Sequence, residues 1–332
     1  MAVDISRREP CTITVLLLEQ FAMIALASTI EPLREANWIV GGHAYDIKVV
    51  SHDGNAVTSS NGMSINVDGG IADVSASSMV IVCSSWDPHL YMTPAILAWL
   101  RKLARQGSRV GAVETGTYVL ASAGLLDGHR ATIHWENLEG FTESFPRVKI
   151  SNGIFEVDRT RFSAAGASAA LDMMLYMIEE THGPAIATAV ADGFVYRRTR
   201  QASSPQRSGP QERLNLRQPR LTRILEFLSQ NLDRHLDVAE MALVEQISDR
   251  EVRRLFSVHL NSTPQAYHRR LRLEKARALL KQTMMSVTDI SVCCGFSSSS
   301  DFSRAFKREY GVQPVGDRGA TYHSDWSGSS RT

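Results

Sequence analysis

The sequence is poor in cysteine, and its four cysteines lack the spacing of a metal site or of a disulfide framework. Cys11 and Cys83 stand alone, while Cys293 and Cys294 are adjacent and cannot easily pair with each other. This pattern excludes a disulfide-stabilised scaffold and a zinc finger. The thiols are expected to be reduced core residues, as in cytoplasmic proteins.

Long apolar runs are missing as well. No stretch reaches about 18 apolar residues, so no transmembrane helix is predicted, and residues 1–10 lack the apolar centre of a signal peptide. Aromatic residues make up only 7% of the 332-residue chain, yet hydrophobic residues together reach 43%, which is enough for globular cores. At this length two domains are expected rather than one.

Net charge is nearly absent over the whole chain, at +1, but it is divided unevenly. Residues 1–195 carry a formal charge of −8, whereas residues 196–318 carry +9. A basic C-terminal half is suited to binding a polyanion, and an acidic N-terminal half favours a separate sensing role.

Apolar periodicity divides the chain into four parts. Over residues 11–182, short β-rich runs alternate with amphipathic helical patterns, which predicts a parallel sheet covered by helices on both faces. Residues 183–218 are rich in Ser, Pro, Gln and Arg and predict a flexible linker, whose arginines are either solvated or bound to phosphate. Residues 219–318 are helical almost throughout, and residues 319–332 predict a flexible tail.

One pattern occurs twice in the helical part, 50 positions apart. Each copy has a serine, an arginine, a phenylalanine and a proline at the same offsets. These residues are Ser248, Arg254, Phe256 and Pro264 in the first copy and Ser298, Arg304, Phe306 and Pro314 in the second. Each copy follows a short apolar helix and a turn. Two helix-turn-helix units, and hence DNA binding, are therefore predicted.

Helical spacing sorts the residues of the two second helices. Apolar residues at i, i+3 and i+4 must face inward, and they are Val252, Leu255 and Phe256, then Phe302, Ala305 and Phe306. The polar residues left to meet DNA are Arg250, Arg253, Arg254, Ser299, Ser300 and Arg304. Ser248 is predicted to cap the first of these helices, and Gly295 to form a turn with positive φ. Solvated amphipathic helices are the alternative, which the repetition disfavours.

Residues 219–318 resemble the DNA-binding domain of AraC/XylS-type transcription regulators. The matching motifs include residues 254–256 (RLF), 270–280 (RLRLEKARALL) and 311–314 (GVQP). The resemblance implies two helix-turn-helix units that read successive faces of the major groove through the six polar residues named above. Two positions depart from the family pattern: Asp301 replaces the usual His, and Asn261 a common Gly. An acid beside a phosphate weakens binding, so affinity or sequence preference is expected to differ.

The run 109–113 leads into Glu114, Thr115, Gly116 and a helix, a step that resembles a nucleophile elbow. Residues 11–182 resemble the PfpI-like, class I glutamine amidotransferase-like domain of the GlxA-type subgroup, which is fused to AraC-type domains. The matching motifs include residues 31–34 (EPLR), 111–116 (GAVETG), 132–135 (TIHW) and 171–175 (LDMML). The resemblance implies a flavodoxin-like α/β fold whose elbow usually carries cysteine.

The nucleophile position is occupied by Glu114, which is a poor substitute for a thiolate, and Cys83 lies at the end of another strand. No catalytic residue is therefore assigned, and the domain is not expected to be an enzyme. A carboxylate at the mouth of a pocket instead predicts pairing with a cationic ligand.

Six residues are predicted to line this ligand pocket: Trp86, Glu114, Thr115, His134, Trp135 and Glu136. Tryptophan rings beside a carboxylate suit ammonium and guanidinium groups. Simpler alternatives are packing for the two tryptophans, a helix cap for Glu114 and a structural hydrogen bond for His134. The GlxA-type subgroup includes regulators of arginine, carnitine and glycine-betaine catabolism, so the resemblance implies an inducer of that class.

The leading hypothesis is a sequence-specific transcription regulator, an activator, that responds to a cationic metabolite. It is expected to act in the cytoplasm, at the nucleoid, as a homodimer on promoter or operator DNA with RNA polymerase as a partner. No cofactor, metal or membrane is expected. Two alternatives stay open: a PfpI-like amidase or hydrolase that carries a DNA-binding domain, and a front domain that only dimerises.

Overall fold

The structure is a computed structural model that describes residues 9–198, 200–207, 218–283 and 285–319. The chain divides into two units, Met1–Gln206 and Arg207–Thr332. We call them the front unit and the helical unit. Within the described residues, no helix is long and apolar enough to cross a membrane.

The front unit is built on a sheet. Its strands are β1 (Cys11–Leu17), β2 (Tyr45–Ser51), β3 (Val57–Thr58), β4 (Ser64–Ile65), β5 (Gly69–Gly70), β6 (Met79–Ser84), β7 (Arg109–Glu114), β8 (Arg130–Ala131), β9 (Lys149–Ile150), β10 (Phe155–Asp158) and β11 (Arg161–Ala164). Over the described residues, seven strands pair in the order β10-β11-β7-β6-β1-β2-β5. All these pairs are parallel except β10 with β11.

Helices cover both faces of this sheet. They are α1 (Met23–Val40), α2 (Pro88–Tyr91), α3 (Pro94–Arg105), α4 (Gly116–Ser122), α5 (Leu138–Ser144), α6 (Ala167–His182) and α7 (Pro184–Gly193). One hydrophobic core lies between the sheet and α1, α6 and α7, and another between the sheet and α3, α4 and α5.

Side chains of β1 alternate between these two cores. Ile13 and Val15 pack with α1 and α6, while Leu16 packs with α3 and α4. This alternation is the period-two geometry of a strand that is buried on both sides. The predicted α/β fold with a parallel sheet is confirmed.

Residues 184–206 differ from the linker that their composition predicts. Pro184 begins α7, and Ala187, Val190 and Ala191 bury one face of it against α1 and α6. Beyond α7, the side chains of Tyr196, Arg200 and Gln206 form hydrogen bonds with other parts of the front unit. These residues are therefore held to the front unit, while other side chains of the segment, such as Gln201, are exposed. Thr199 and residues 208–217 of the predicted linker lie outside the described residues, as does most of the predicted tail.

The helical unit contains α8 (Pro219–Gln230), α9 (Val238–Glu245), α10 (Asp249–Leu260), α11 (Pro264–Gln282), α12 (Val287–Cys293), α13 (Ser299–Tyr310) and α14 (Pro314–Gly319). A core formed by α8, α9 and α10 includes Tyr267 of α11. A second core, formed by α12 and α13, includes Leu273 and Leu279 of the same helix. The long helix α11 therefore joins two helix-turn-helix units, as the helical spacing predicts.

Candidate functional site

The turn between β7 and α4 holds Glu114 in a strained position. Glu114 has φ of 58°, in the left-handed region, and α4 begins two residues later. A Cβ atom on Gly116 would lie 2.3 Å from the carbonyl oxygen of Val82 on the neighbouring β6, so only glycine fits there. A non-glycine residue in such a conformation costs about 1–3 kcal/mol. That cost is typical of turns that project a side chain above the carboxyl end of a sheet.

The Glu114 carboxylate is hydrogen-bonded to the start of α6. Its Oε1 accepts a hydrogen bond of 3.2 Å from the backbone N–H of Ala167. A Cβ atom on Gly166 would lie 3.4 Å from the same Oε1 and 3.5 Å from His134 Cδ2. The carboxylate of Glu114 and the ring of His134 therefore both lie beside Gly166.

Burial is the main influence on the charge of Glu114. It raises the pKa of this carboxyl from 4.5 to about 7, the Ala167 N–H opposes the rise, and the charge of Glu136 adds to it. Within the part of the chain that the structure describes, no positive group is among the causes of this shift. At neutral pH the carboxylate is therefore close to its titration midpoint, and a nearby cation would favour its ionised form.

His134, Trp135 and Glu136 form a cluster beside Glu114. A short 3-10 helix begins at Trp135, whose ring lies 5.3 Å from the His134 ring at an interplanar angle of 42°. Glu136 Oε2 is 3.7 Å from His134 Nδ1. The surroundings of Glu114 thus include an imidazole, a nearby indole and a second carboxylate, a combination suited to a small cation.

Thr115 and Trp86 belong to the contact between the elbow and the loop that follows β6. The Thr115 side chain is buried, and its Oγ1 donates to the carbonyl oxygen of Ser85 at 2.6 Å. Its hydroxyl therefore fastens the loop after β6 to the elbow. Trp86 follows in this loop, donates its backbone N–H to Gln20 O at 3.3 Å, and is 41% exposed. The structure thus places Thr115 as a support and Trp86 at the end of the neighbouring strand.

Cys83 is fully buried on β6. Burial raises the pKa of its thiol, and the charge of Glu114 raises it further. A thiol in this environment stays protonated at neutral pH, whereas a nucleophilic cysteine needs the thiolate. Cys83 therefore lacks the environment of a nucleophile that replaces the one expected at the elbow.

The first helix-turn-helix unit consists of α9 and α10. Ser248 Oγ accepts from the N–H of Glu251 at 3.3 Å, so it caps α10 as predicted. Val252, Leu255 and Phe256 are fully buried, also as predicted.

Three arginines of α10 were predicted to meet DNA. Arg250 and Arg253 are exposed. Arg254 is also exposed, but its guanidinium forms a bidentate ion pair with Glu251, with N···O distances of 2.8 and 2.7 Å. Arg250 and Arg253 show no ion pair among the described residues, so they are the freer donors for a base edge or a phosphate.

The second unit, α12 and α13, repeats this design. Ser298 Oγ accepts from the N–H of Asp301 at 3.1 Å, and Phe302 and Phe306 are fully buried. Gly295 has φ of 67° in the turn, as predicted, and a Cβ atom there would lie 2.5 Å from the backbone nitrogen of Arg234. Glycine is therefore needed for its conformation and for the close approach.

The polar residues of α13 differ in their freedom to reach DNA. Ser300 is exposed, whereas Ser299 is half-buried and its Oγ donates to Thr288 Oγ1 at 3.3 Å. The Arg304 side chain is 79% exposed and lies 3.8 Å from Asp301 Oδ1. Asp301 and Arg304 thus form the same i,i+3 pair of an acid and an arginine as Glu251 and Arg254, but with a longer separation.

Sequence reasoning missed two residues that the structure brings to the Glu114 site. Ala167 donates to the carboxylate, and Gln206 donates to the carbonyl oxygen of Ile133, the residue before His134, at 3.0 Å. Neither has a chemical signature in the sequence. For Ala167, the start of a helix directly after β11 is the sequence feature that could predict a free backbone N–H near the elbow. For Gln206, the local sequence contains no such feature.

Two capped helix-turn-helix units with exposed arginines, joined to a parallel α/β unit, define a DNA-binding protein of the transcription-regulator class. Family models agree with this division. The model for a helix-turn-helix domain matches residues 241–318, and the model for the DJ-1/PfpI family matches residues 11–180.

Two relatives from Pseudomonas aeruginosa are similar over most of the chain. The HTH-type transcriptional regulator GbdR is 40% identical over 311 residues, which are 94% of this chain and 85% of the relative. The HTH-type transcriptional regulator CdhR is 40% identical over 305 residues, 91% of this chain and 90% of the relative. The crystal structure of an AraC family transcriptional regulator from Pseudomonas putida superimposes with a TM-score of 0.53 at 26% identity, covering 56% of this chain and all of the other. The chain belongs to the family of HTH-type transcriptional regulators with a DJ-1/PfpI front domain and an AraC-type DNA-binding domain.

Proposed function

We propose that this regulator activates transcription in response to a small cationic metabolite bound beside Glu114. The observation that carries the proposal is the half-buried Glu114 carboxylate, whose pKa is raised to about 7 and which lies beside Gly166 together with the ring of His134. The proposed class is quaternary ammonium or guanidinium, as in glycine betaine, carnitine and arginine.

The physical basis of the proposed binding is that burial disfavours the ionised form of the Glu114 carboxyl. A bound cation restores the ionised form, so binding is accompanied by partial proton release at neutral pH. The Trp135 ring beside His134 adds a face that attracts cations. Trp86, which follows the residue that Thr115 holds, is proposed as the second aromatic group of the site. Glu136 supplies further negative charge, and Thr115 holds the loop in place.

The front unit is proposed to bind its ligand without catalysing a reaction of it. Glutamate is a poor nucleophile at the elbow, and the buried thiol of Cys83 stays protonated. The competing amidase or hydrolase function predicts turnover of amide or ester substrates that is lost when Cys83 is alkylated. The binding function predicts no turnover either before or after alkylation.

The helical unit is proposed to place α10 and α13 in successive major-groove faces of promoter DNA. The proposed contacts are Arg250, Arg253, Arg254, Ser299, Ser300 and Arg304, of which Arg250 and Arg253 are the best placed to reach base edges. A homodimer in the cytoplasm, at the nucleoid, would occupy two half-sites and recruit RNA polymerase. The ligand would act by shifting the equilibrium between two arrangements of the protomers.

A thermal-shift screen of the full chain tests the ligand proposal. The compounds are glycine betaine, carnitine, choline, dimethylglycine, arginine and a set of neutral amino acids. A millimolar ligand with micromolar affinity stabilises the folded state by about 4 kcal/mol, which is a visible shift. The proposal expects a shift confined to compounds with an N-methylated ammonium or a guanidinium group, and a smaller shift in Glu114→Gln. A chain that no compound stabilises would favour a front unit that only dimerises.

A further inference from the structure

Gln206 is the last residue of the front unit, and the chain enters the helical unit at Arg207. Its side chain points back into the front unit. The two N–H groups of Nε2 are shared among three oxygen acceptors: Thr132 Oγ1 at 3.0 Å, Ile133 O at 3.0 Å and Gly153 O at 2.9 Å. Three oxygen acceptors around one nitrogen identify it as the amide donor. The covalent connection to the DNA-binding unit therefore begins at a hydrogen-bonded anchor.

This anchor lies one residue from the ligand site. Ile133 directly precedes His134, and Thr132 O accepts from the Thr117 hydroxyl at 3.1 Å. The same hydroxyl is 3.3 Å from the carbonyl oxygen of Glu114. Thr117 and Thr132 are fully buried. A continuous set of buried contacts thus leads from the elbow to Gln206.

A second anchor joins the same segment to α6. Asp172 is fully buried and accepts from the Tyr196 hydroxyl at 2.8 Å, and Arg200 Nη2 lies 2.5 Å from its other oxygen. Arg200 also donates to Ser168 O at 3.0 Å. Ser168 follows Ala167, the residue that donates to Glu114. Both anchors therefore hold the segment to backbone that borders the ligand site.

The Gln206 anchor is incomplete. Its Oε1 is buried and has no hydrogen-bond partner among the described residues. A buried carbonyl oxygen without a donor costs free energy. This cost offsets part of the stabilisation that the hydrogen bonds of Nε2 give to the attached segment. Such an anchor responds to small displacements of the loop that contains Ile133 and His134.

We propose that residues 196–198 and 200–206 form a strap that transmits occupancy of the Glu114 site to the helical unit, with Gln206 as its positioning residue. The inference rests on the proposed ligand function. A ligand between Glu114 and His134 displaces the loop that supplies two of the three acceptors of Gln206, and so changes the attachment of the strap. Thermodynamic linkage is reciprocal, so detaching the strap must also alter the loop that contains Ile133 and His134.

The test compares two full-length variants of the same chemistry. Gln206→Glu replaces the donating NH2 by an oxygen that repels the carbonyl oxygens of Ile133 and Gly153. Gln201→Glu makes the same change on the same segment, at a side chain that is exposed, and is the matched control. Gln206→Ala removes the amide without adding charge. This variant replaces Gln206→Glu in the comparison if the latter does not fold. Melting curves establish that each variant is folded.

Hydrogen exchange of the ligand-free proteins is measured first. Cutting the anchor at Gln206 should speed amide exchange at least tenfold in residues 200–206 and in residues 132–136, and Gln201→Glu should match the wild type. Glu114→Gln, a change inside the site, should alter exchange in residues 200–206. Unchanged exchange in the loop at residues 132–136 of the folded Gln206 variants would overturn the proposal, whether or not any ligand is found.

DNA affinity is measured second, on a fragment that the wild-type protein selects from genomic DNA, with and without glycine betaine or arginine at millimolar concentration. The wild type and Gln201→Glu should show a ligand-dependent change in Kd for DNA. In Gln206→Glu the ratio of the two Kd values should fall below two although the compound still binds. An unchanged ratio in that variant overturns the strap and leaves the ligand site intact. A wild type that binds neither compound counts against the proposed ligand instead.

Discussion

A hydrogen bond of 3.2 Å joins Glu114 Oε1 to the backbone N–H of Ala167 at the first residue of α6. The bond connects the elbow after β7 to a helix that begins 53 residues later. The N-terminus of a helix favours negative charge, yet the pKa of Glu114 is raised to about 7 because burial outweighs that effect. The carboxylate is thus held close to its titration midpoint, where a bound cation would shift it to the ionised form.

The stability of the front unit should depend on pH through Glu114. The folded state keeps the proton on this carboxyl up to about pH 7, whereas the unfolded chain loses it near 4.5. The folded state binds more protons between these values, so stability falls as pH rises from 4.5 to 7 and is level above it. The fall is at most about 3 kcal/mol, since one pKa unit corresponds to about 1.4 kcal/mol and the side chain is partly exposed.

Urea denaturation at pH 5, 6, 7 and 8 checks this dependence. Glu114→Gln should flatten the profile over this range and be the more stable protein at pH 8. Glu143→Gln, which alters an exposed carboxylate on α5, should keep the wild-type profile. A wild-type slope that survives in Glu114→Gln would assign the dependence to other groups.

Ligand affinity should rise with pH, in the opposite sense to stability. A cation requires the ionised carboxylate, so below pH 7 the affinity should increase by up to about tenfold per pH unit and then level off. Glu114→Gln should bind about 5- to 150-fold more weakly, which corresponds to about 1–3 kcal/mol, and without this pH dependence. Calorimetric titrations in buffers of different ionisation enthalpy would detect the released proton. Binding of a cationic ligand without proton release at pH 7 would argue against Glu114 as its partner.

The exposed arginines of α10 should contribute unequally to DNA binding. Arg253→Ala should weaken binding to the selected operator about 5- to 150-fold, as is usual for a base-reading arginine. Arg254 is held by Glu251, so Glu251→Gln should release it, remove a negative charge near the phosphates and tighten binding to any DNA sequence. Fluorescence anisotropy at several salt concentrations separates the two effects. Arg101→Ala, an exposed arginine of the front unit, is the control, and an Arg253→Ala affinity equal to the control would exclude that contact.

Gly295 and Gly311 offer a matched pair for backbone strain. Both have positive φ, at 67° and 76°, but only at Gly295 would a Cβ atom collide with backbone, 2.5 Å from Arg234 N. Gly311→Ala should destabilise the helical unit by about 1 kcal/mol, and Gly295→Ala by about 3 kcal/mol or more. Thermal denaturation followed by circular dichroism measures both. Equal losses would show that conformation alone accounts for Gly295.

The position of Glu114 is predictable because a strand, a short turn with glycine and a helix follow one another in sequence. The α10 and α13 faces are predictable for a similar reason, since a helical period of 3.6 sorts Val252 and Phe302 inward without reference to the rest of the fold. These features depend on local order, and the structure agrees with them.

The partners of Glu114 are not predictable in this way, because they depend on tertiary contacts. Ala167 donates to Glu114 from 53 residues away, and Gln206 reaches Thr132 across 74. Composition also misled for residues 184–206, where a polar stretch indicates solvation but several side chains form hydrogen bonds with the front unit. For α7 a signal was present, since Ala187, Val190 and Ala191 have helical spacing after Pro184.

The most direct test of the central claim is calorimetric titration of the full chain at pH 8 with pairs of compounds of the same shape. Glycine betaine is paired with 3,3-dimethylbutanoate, in which carbon replaces the quaternary nitrogen, and arginine with citrulline. We expect at least one member with a quaternary nitrogen or a guanidinium group to bind, its counterpart without that positive group to bind at least about 100-fold more weakly, and Glu114→Gln to lose most of this preference. Equal binding of both members of a pair, or a preference that Glu114→Gln retains, would contradict a cation sensor built on Glu114.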